Sequence, residues 1–358
     1  MTALRAGVVG LGWAGRQHIS GYTVCDETEL VAICGMEDEL AAQLAGDYGL
    51  EHSFRQVDDM LANADLDVIS IATPTALHAP MAVRALDAGV HVLSEKPIAE
   101  SAARAREMVA AAARNNRVID VSYNHRRRGV VTALKAAIDE GLLGDIYYAK
   151  AGWLRRRGIP GLGTWFTRKE TAGGGPFMDI GVHMADIALH LLGEPAITTV
   201  TASSYAEFGP RGLGGWGRQS PSATTIAGYD VEDLATTFCR LDTGTTLMLE
   251  ASWAQWVDHD LAFVDLYGTE AGAHLEWGSP TSGDAGHLVI RTDVKGHPAV
   301  ITPELPPSGG HAACIADFAV AVRTGERRAA LGDLLVNRAL VVDAAYESAE
   351  LRREVVLG

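Results

Sequence analysis

Lys96 is the first residue whose type and position point to chemistry. It stands near the end of the run 89–97, GVHVLSEKP, in which a short apolar strand leads into a Lys-Pro step. A lysine side chain is compact, carries three donors and changes its pKa readily when buried, so it suits the handling of protons. At the carboxyl end of a parallel strand it faces the crevice where cofactor and substrate meet. The alternative is a surface lysine in a loop, because Glu95-Lys96-Pro97 alone is a short match.

The elements that would position Lys96 begin at the N-terminus. An apolar run over residues 4–9 predicts a buried strand, and it leads directly into residues 10–15, GLGWAG, and a helix-like stretch. In this order Gly10 permits the tight turn, Gly12 lets backbone approach a pyrophosphate, and Gly15 lets helix and strand pack closely. The helix N-terminus then offers free N–H groups to phosphates. The predicted cofactor contacts in this loop are Gly10, Gly12, Trp13, Ala14 and Gly15.

The end of the second strand bears on the choice between NAD and NADP. A dinucleotide fold usually places Asp or Glu there, about 20 residues beyond the glycines, to hold the ribose 2′-OH. Here the strand 29–34 is followed by Gly35 and Met36, which we expect to contact the cofactor. Glu37 and Asp38 come next, and they either reach the ribose or begin the next helix, where acids are favoured. Because this local charge would repel a phosphate, the sequence favours NAD slightly over NADP.

A further strand and loop are predicted over residues 68–74. Thr73 and Pro74 are expected to lie over the cofactor, since they follow a strand of the same sheet. His78 begins an alanine-rich helix, and it either contacts the cofactor or packs and caps that helix. The run that contains the lysine adds the last predicted cofactor contacts, Glu95 and Lys96.

The order of the elements predicts two domains of different class. Strands and helices alternate over residues 1–122, which predicts an α/β Rossmann domain with a parallel, doubly wound sheet. Residues 123–358 begin with a helix and then become rich in strands, which predicts an α+β domain with a large, mostly antiparallel, open-faced sheet. The strands of this domain are predicted at 146–153, 197–205, 234–241, 245–253, 261–267 and 287–291. An exposed sheet face favours burial, so we expect a homodimer or homotetramer formed through this sheet.

These motifs together resemble the Gfo/Idh/MocA oxidoreductases, the family of glucose–fructose oxidoreductase and inositol dehydrogenase. The segments that carry the resemblance are GLGWAG at 10–15, ATP at 72–74 with His78, EKP at 95–97, GGGPFMDIGVH at 173–183, VED at 231–233, EASW at 250–253 and AYES at 345–348. The resemblance implies hydride transfer with a nicotinamide cofactor, and it implies Lys96, Asp179 and His183 as the catalytic residues. It also implies that the peptide before Pro97 is often cis, and that the chain forms oligomers.

The three implied catalytic residues suit the oxidation of a secondary alcohol. Asp179 and His183 are four residues apart, so on a helix from Asp179 to Leu191 they share one face. Histidine titrates near neutral pH, which makes His183 the predicted base. Lys96 would stabilise the negative charge that develops on the same oxygen, and Asp179 would orient the lysine or the substrate hydroxyls. The alternative is that Asp179 caps the helix and His183 packs within it.

Further candidates for substrate contact are polar or aromatic residues of the second domain and its start. Asn124 and His125 follow the last nucleotide-domain strand and either touch substrate or belong to a linker; Tyr123 is an alternative proton donor. Arg156 either holds an anionic group or lies on a salt-bridged face, and Trp165 either stacks on a sugar or packs in the core. The predicted substrate contacts are therefore Lys96, Asn124, Arg156, Trp165, Asp179 and His183.

Composition limits the possible partners. The chain has 358 residues, 47% of them hydrophobic, and a net charge of -15, which argues against nucleic acid and against an anionic membrane surface. No apolar stretch is long enough to span a bilayer. The four cysteines show no paired spacing and indicate cytoplasmic thiols. The twelve histidines form no HExxH or similar cluster, so no metal site is predicted. Residues 209–228 are expected to form a flexible loop.

The sequence therefore predicts an NAD(P)-dependent dehydrogenase that acts on a CH–OH group of a sugar, glycoside or cyclitol. One alternative is an enzyme that cleaves glycosides by transient oxidation with bound NAD. The other is a regulator that senses dinucleotides without catalysis, against which the three retained catalytic residues argue. The substrate itself and the direction of the reaction do not follow from the sequence.

Overall fold

The chain forms two compact units, each of which is built from two separate stretches of sequence. The computed structural model describes residues 2–216, 228–325 and 329–357, so most of the loop predicted over 209–228 lies outside the described residues. The first unit consists of Met1–Asn124 and Gly309–Ala339, and the second of His125–Ser308 and Leu340–Gly358. The domains predicted from the sequence, 1–122 and 123–358, did not include this return of the chain to the first unit.

The first unit contains a six-stranded parallel sheet, which confirms the predicted Rossmann class. Its strands are β1 (Leu4–Val9), β2 (Thr28–Cys34), β3 (His52–Phe54), β4 (Val68–Ile71), β5 (His91–Ser94) and β6 (Ile119–Val121). The helices between them are α1 (Trp13–Val24), α2 (Asp38–Tyr48), α3 (Val57–Asn63), α4 (His78–Asp87) and α5 (Ala102–Asn115). The strand order is β3-β2-β1-β4-β5-β6, so the direction of winding reverses between β1 and β4. Ligands of such sheets bind at the carboxyl ends of the strands beside this reversal.

The second unit contains a nine-stranded sheet. Its strands are β7 (Ile146–Leu154), β8 (Ile197–Tyr205), β9 (Leu234–Leu241), β10 (Thr246–Ser252), β11 (Leu261–Gly268), β12 (Ala271–Trp277), β13 (His287–Val294), β14 (His297–Ile301) and β15 (Val355–Val356). The order is β14-β13-β12-β11-β7-β10-β9-β8-β15, and every pair is antiparallel except β7 with β10. The predicted mostly antiparallel sheet is confirmed, and three strands, β12, β14 and β15, were not predicted.

The two faces of this sheet differ in cover. The helices of the second unit are α6 (Gly129–Asp139), α7 (Lys169–Ala172) and α8 (Val182–Leu191), and α6 and α8 pack on one face. Burial alternates along β9 and β10, with Cys239 and Leu249 buried on the covered side. Phe238 and Met248 stand on the other side, are exposed and are paired in register. The open face of the prediction is therefore present.

Two helices close the chain, α9 (Gly310–Thr324) and α10 (Ala329–Leu351). Ile315 and Phe318 of α9 are fully buried in the same apolar cluster as Val8 and Ile19, which explains why this stretch belongs to the first unit. Contact with α1 is close, because a Cβ on Gly21 would lie 2.3 Å from Ile315 Cδ1. Among the helices of the described residues, none is long and apolar enough to cross a bilayer.

Candidate active site

The glycine loop after β1 uses its three glycines in two different ways. Gly10 has a φ of +94°, and a Cβ there would lie 2.2 Å from the Ala72 carbonyl oxygen. A Cβ on Gly15 would lie 1.8 Å from the Gly10 carbonyl oxygen. Gly12 is the opposite case, because a Cβ there would meet nothing within 4 Å. The outer glycines are thus needed for packing, and the middle one leaves open space beside the N-terminus of α1.

This loop fits the diphosphate of a dinucleotide. Helix α1 starts directly after Gly12 without a side-chain cap, so its first N–H groups are available to an anion. Trp13 is 64% exposed and Ala14 is half-buried at this end of the helix. Across the reversal, the buried Thr73 hydroxyl finds no hydrogen-bond partner among the residues described. A buried hydroxyl without a partner is expected where a ligand supplies the missing bond.

One of the acids after β2 has a partner that the sequence did not indicate, Arg55, which directly follows β3. Gly35 donates its N–H to the Phe54 carbonyl (2.9 Å), and Met36 is 60% exposed. Both carboxylate oxygens of Asp38 accept hydrogen bonds from Arg55 Nη1. Asp38 is therefore already paired within the protein, and Glu37 is the acid whose carboxylate lies beside Gly35.

His78 holds two loops of the first unit together. Its side chain is buried, with Nδ1 2.8 Å from the Pro97 carbonyl oxygen and Nε2 2.9 Å from the Thr73 carbonyl oxygen. Burial lowers its pKa, against the opposing effect of these two hydrogen bonds. These contacts join the loop after β4 to the loop after β5, a role that differs from the two considered from the sequence. Pro74 precedes the short turn that leads into this helix.

Lys96 follows β5 at the same edge of the sheet. The peptide between Lys96 and Pro97 is cis, as the resemblance implied. The Lys96 N–H donates to Glu95 Oε2 at 3.1 Å, while Glu95 Oε1 lies 2.9 Å from His18 Nε2 and 3.3 Å from His311 Nε2. Burial alone would raise the pKa of Glu95, but the hydrogen bonds from the two histidines outweigh it and hold that pKa well below its usual range.

In the second unit, Asp179 lies on a π-helical turn. The turn spans Phe177–Gly181 and leads into α8, so the helix predicted to start at Asp179 in fact begins earlier and with a wider turn. The reason lies in close packing: a Cβ on Gly181 would come within 2.9 Å of the Phe177 ring and 3.0 Å of Ala251 Cβ in β10. Wider turns of this kind occur often at functional sites.

A buried carboxylate holds the glycine-rich segment that precedes Asp179. Glu232 accepts the N–H groups of Gly175 (2.9 Å) and Phe177 (3.1 Å), and the Tyr346 hydroxyl donates to the same carboxylate at 2.8 Å. Burial raises the pKa of Glu232, and these hydrogen bonds oppose the effect only in part. A Cβ on Gly174 would lie 2.0 Å from the Tyr346 hydroxyl, so the segment needs its glycine there.

The two polar side chains predicted to act in catalysis in this unit are both fixed by aromatic residues. Trp253 is fully buried and donates its Nε1–H to Asp179 Oδ2 at 2.9 Å. The ring of His183, which is buried, meets the His125 ring edge-on at a centroid distance of 4.5 Å. Trp153 lies 6.1 Å from His183 on another side. Trp253 lies in EASW, one of the segments that carry the resemblance, but the sequence alone assigned it no role.

His125 is held in place by its own neighbours. Its ring stacks on Trp277 (5.8 Å, 17°), and Arg128 Nε donates to its Nδ1 at 2.8 Å. The Arg128 guanidinium lies 4.7 Å from the centre of the Trp277 ring. Because Nδ1 accepts this bond, the remaining proton of the imidazole sits on Nε2. Trp277 was not foreseen from the sequence, since its contact with His125 joins residues far apart in the chain.

The other predicted substrate residues have varied surroundings. Arg156 lies with its guanidinium 4.4 Å from the ring centre of Trp256, which is 73% exposed. Trp165 stacks on Phe166 at 3.8 Å. Asn124 begins a short turn at the last residue of the first unit.

Arg126, the first residue of the basic run 126–128, has a structural role. Arg126 forms a two-point ion pair with Asp186, a carboxylate that is 1% exposed.

Comparison with known proteins agrees with this geometry. Residues 4–123 match a family model described as "Oxidoreductase family, NAD-binding Rossmann fold", and residues 131–274 match the "GFO/IDH/MocA C-terminal domain". The chain is 36% identical over 275 residues to the D-glucoside 3-dehydrogenase of Escherichia coli (strain K12), over 76% of this chain and 77% of that protein. It is 27% identical over 326 residues to the levoglucosan dehydrogenase of Pseudarthrobacter phenanthrenivorans, over 86% and 83% of the two chains.

The solved structures show the same likeness over the whole chain. A levoglucosan dehydrogenase in complex with NADH and L-sorbose superposes with a TM-score of 0.83, at 26% identity and with 99% of each chain covered. The structure of GenD2 from gentamicin A biosynthesis in complex with NAD superposes with a TM-score of 0.79, at 25% identity, with 100% of this chain and 97% of that chain covered.

Proposed function

Because the chain belongs to the Gfo/Idh/MocA family of oxidoreductases, we propose that it oxidises a ring hydroxyl of a sugar, glycoside or cyclitol with NAD, using Lys96, Asp179 and His183. The activity class, an NAD(P)-dependent dehydrogenase acting on CH–OH groups, follows from the family. In this proposal residues 1–122 bind the cofactor, and residues 123–358 bind substrate. The names of the relatives give no support to glycoside cleavage or to a regulatory role.

One observation carries the proposal most directly. The glycine loop leaves space at Gly12 for a diphosphate, and Lys96 follows β5 at the same edge of the sheet. Cofactors of doubly wound sheets bind along this edge, so a lysine there lies where substrate and nicotinamide would meet. A lysine in that place donates to the substrate oxygen and stabilises its developing negative charge.

The chain's own residues divide the remaining work. His183, which is buried, accepts the proton of the substrate hydroxyl as the general base. Asp179, fixed by the Trp253 indole, orients the substrate hydroxyls. When bound, NAD accepts the hydride that leaves the substrate carbon bearing this hydroxyl.

The test is turnover with a panel of sugars, glycosides and cyclitols, measured as NADH formation. Lys96→Met and His183→Asn should each lower kcat at least about a hundredfold and leave the dissociation constant of NAD nearly unchanged. Lys135→Met is the matched control, because this lysine pairs with Asp139 on the surface of α6. Wild-type turnover in both of the first two variants would refute the assignment.

The preference for NAD rests on the charges after β2. Asp38 is occupied by Arg55, and Glu37 stands beside Gly35, so a 2′-phosphate would meet an unneutralised carboxylate. We expect NAD to bind at least about tenfold more tightly than NADP, a difference of about 1.4 kcal/mol. Glu37→Gln should reduce the difference between the affinities for NAD and NADP. Tighter binding of NADP than of NAD by the wild type would contradict the proposal.

We propose that a second copy of the chain covers the open face of the nine-stranded sheet. Phe238 and Met248 are exposed on neighbouring strands, and the Tyr148 hydroxyl contacts Met248 Sδ at 3.0 Å, so an apolar strip crosses this face. Light scattering should show a dimer or tetramer for the wild type. Phe238→Glu should yield smaller particles, whereas Val24→Glu, at an exposed position of α1, should not. A monomeric wild type would refute this assembly.

The cysteines bear on location. Cys25, Cys34 and Cys239 are free thiols in the structure, and burial raises the pKa of Cys34 and of Cys239 to about 11. Inert, reduced thiols suit a reducing compartment, which supports the proposal that the protein works in the cytoplasm. Fractionation of the producing cells tests it.

A further inference from the structure

We propose that three buried histidines, His18, His78 and His311, act together as positioning residues that fix the main chain at Lys96. They come from α1, α4 and α9, which are far apart in sequence. All three are buried within the first unit, with exposures of 0%, 1% and 8%. This inference rests on the catalytic role proposed for Lys96.

The first contact with Lys96 runs through Glu95. One carboxylate oxygen takes the hydrogen bonds of His18 and His311, at 2.9 and 3.3 Å, and the other takes the Lys96 N–H at 3.1 Å. Three donors on two oxygens suit an ionised carboxylate, which only accepts, and the lowered pKa of Glu95 agrees with this. Charge-assisted hydrogen bonds are short and strong, and here they fix the orientation of the peptide that carries Lys96.

A chain of hydroxyls sets the orientation of His18. The Tyr22 hydroxyl lies 2.8 Å from Ser70 Oγ, which in turn lies 2.8 Å from His18 Nδ1. Burial raises the pKa of Tyr22, so its hydroxyl keeps its proton. Because the Glu95 carboxylate accepts at Nε2, a neutral His18 carries its proton there. Nδ1 then accepts from Ser70, and Ser70 accepts from Tyr22.

The second contact with Lys96 comes from the opposite side of its cis peptide. His78 lies between two carbonyl oxygens, with Nδ1 2.8 Å from that of Pro97 and Nε2 2.9 Å from that of Thr73. A neutral ring donates to one of them, and the doubly protonated ring donates to both. His78 thus contacts both the residue after Lys96 and the loop where the cofactor is expected. The residues on both sides of Lys96 are therefore in contact with imidazoles: Glu95 with His18 and His311, and Pro97 with His78.

His311 adds a contact that no local pattern predicts. Its ring meets the Trp13 ring edge-on at 5.5 Å and the His18 ring at 5.6 Å. Trp13 belongs to the glycine loop, so a helix near the C-terminus connects that loop with Glu95. The return of α9 to the first unit thereby has a function in addition to core packing.

The same side chains have the composition of a metal site, and the test must separate the two roles. The ligand atoms of His18, Glu95 and His311 all lie within 4.8 Å of one another. The distances from Glu95 Oε1 to His18 Nε2 and to His311 Nε2 are hydrogen-bond lengths, 2.9 and 3.3 Å. We therefore assign the cluster to positioning.

The decisive experiment compares His311→Leu with His311→Gln in the full chain. Leucine removes the donor to Glu95, whereas the amide of glutamine can replace it. We expect leucine to lower kcat at least about tenfold while KM and the dissociation constant of NAD change by less than about threefold, and glutamine to restore most of kcat. His297→Leu, at an exposed position of β14, is the matched control.

A second readout does not depend on turnover. The imidazole nitrogen resonances of His18 and His311 should both shift in Glu95→Gln, and those of His297 should not. Wild-type kcat in His311→Leu, an equal loss in both His311 variants, or a stoichiometric divalent ion in the purified wild type would each overturn the inference. A wild type without turnover on any substrate refutes the proposed function instead, and the resonances then still decide whether the cluster exists.

Discussion

Replacing the middle glycine of the loop should separate cofactor binding from folding. Gly12 has φ -65° and ψ -168°, which an alanine can adopt, and its Cβ would meet nothing within 4 Å. Alanine also restricts the unfolded chain more than glycine does. Gly12→Ala should therefore raise the free energy of unfolding without cofactor by about 0.4–1 kcal/mol.

The matched variant is Gly15→Ala, three residues along the same loop. Its Cβ would lie 1.8 Å from the Gly10 carbonyl oxygen, which is 1.6 Å short of the 3.4 Å at which ordinary contact begins. A backbone atom cannot rotate away as a side chain can, so the turn itself must shift. Overpacking of this kind costs about 1–3 kcal/mol, and this case belongs at or above the upper end.

In Gly12→Ala the affinity for NAD should fall, although the stability without NAD rises. The added methyl group takes the space through which the backbone would approach the diphosphate, so NAD affinity should fall at least about tenfold, or 1.4 kcal/mol. Urea unfolding with and without NAD measures both quantities, because a ligand that binds only the folded state raises its stability. NAD binding at wild-type strength in Gly12→Ala, or a loss of its stability without NAD, would refute the reasoning.

Three further predictions concern the second unit. Trp253→Phe should lower kcat up to about tenfold by removing the hydrogen bond to Asp179, as steady-state kinetics would show; an unchanged kcat would mean that the bond does not act in catalysis. Arg126→Met should cost about 3–5 kcal/mol in urea unfolding, because it removes one partner of a buried ion pair; a loss below about 1 kcal/mol would contradict this. The pKa of His274 is raised, chiefly by its hydrogen bond to a carboxylate of β11, so its contribution to stability is complete below the ordinary histidine pKa of about 6.5 and is lost as the pH rises through the raised value. The melting temperature should fall over that window in the wild type and less in His274→Gln, and parallel curves would exclude the effect.

The features that the sequence predicted correctly are those in which neighbouring residues determine the structure. The parallel sheet follows from short strands and helices that alternate along the chain, and β2 and β9 lie within a residue of their predicted bounds. The strand β12 was missed although its burial alternates, because Ala271–Trp277 contains two alanines, a glycine and a histidine, which favour strands weakly. Its pairing with β11 and β13 decides the conformation there.

The parts of the site that could not be predicted depend on contacts between residues far apart in sequence. His311 is separated from Glu95 by more than half of the chain, and no spacing pattern connects them. The π turn at Asp179 likewise depends on how closely Gly181 approaches a strand that comes 70 residues later. Periodicity identifies the face on which such residues lie, but it does not identify their partner.

Each unit uses one buried glutamate to hold the segment that carries a candidate catalytic residue. The pKa values of these two glutamates are shifted in opposite directions. Glu95 takes its hydrogen bonds from two imidazoles and a main-chain N–H, and its pKa is lowered. Glu232 takes its bonds from main-chain N–H groups and the Tyr346 hydroxyl, all neutral, and its pKa is raised. Hydrogen bonds to a carboxylate lower its pKa and burial raises it, so the two directions show which effect is larger at each glutamate. The hydrogen bonds outweigh desolvation at Glu95, and desolvation outweighs the hydrogen bonds at Glu232.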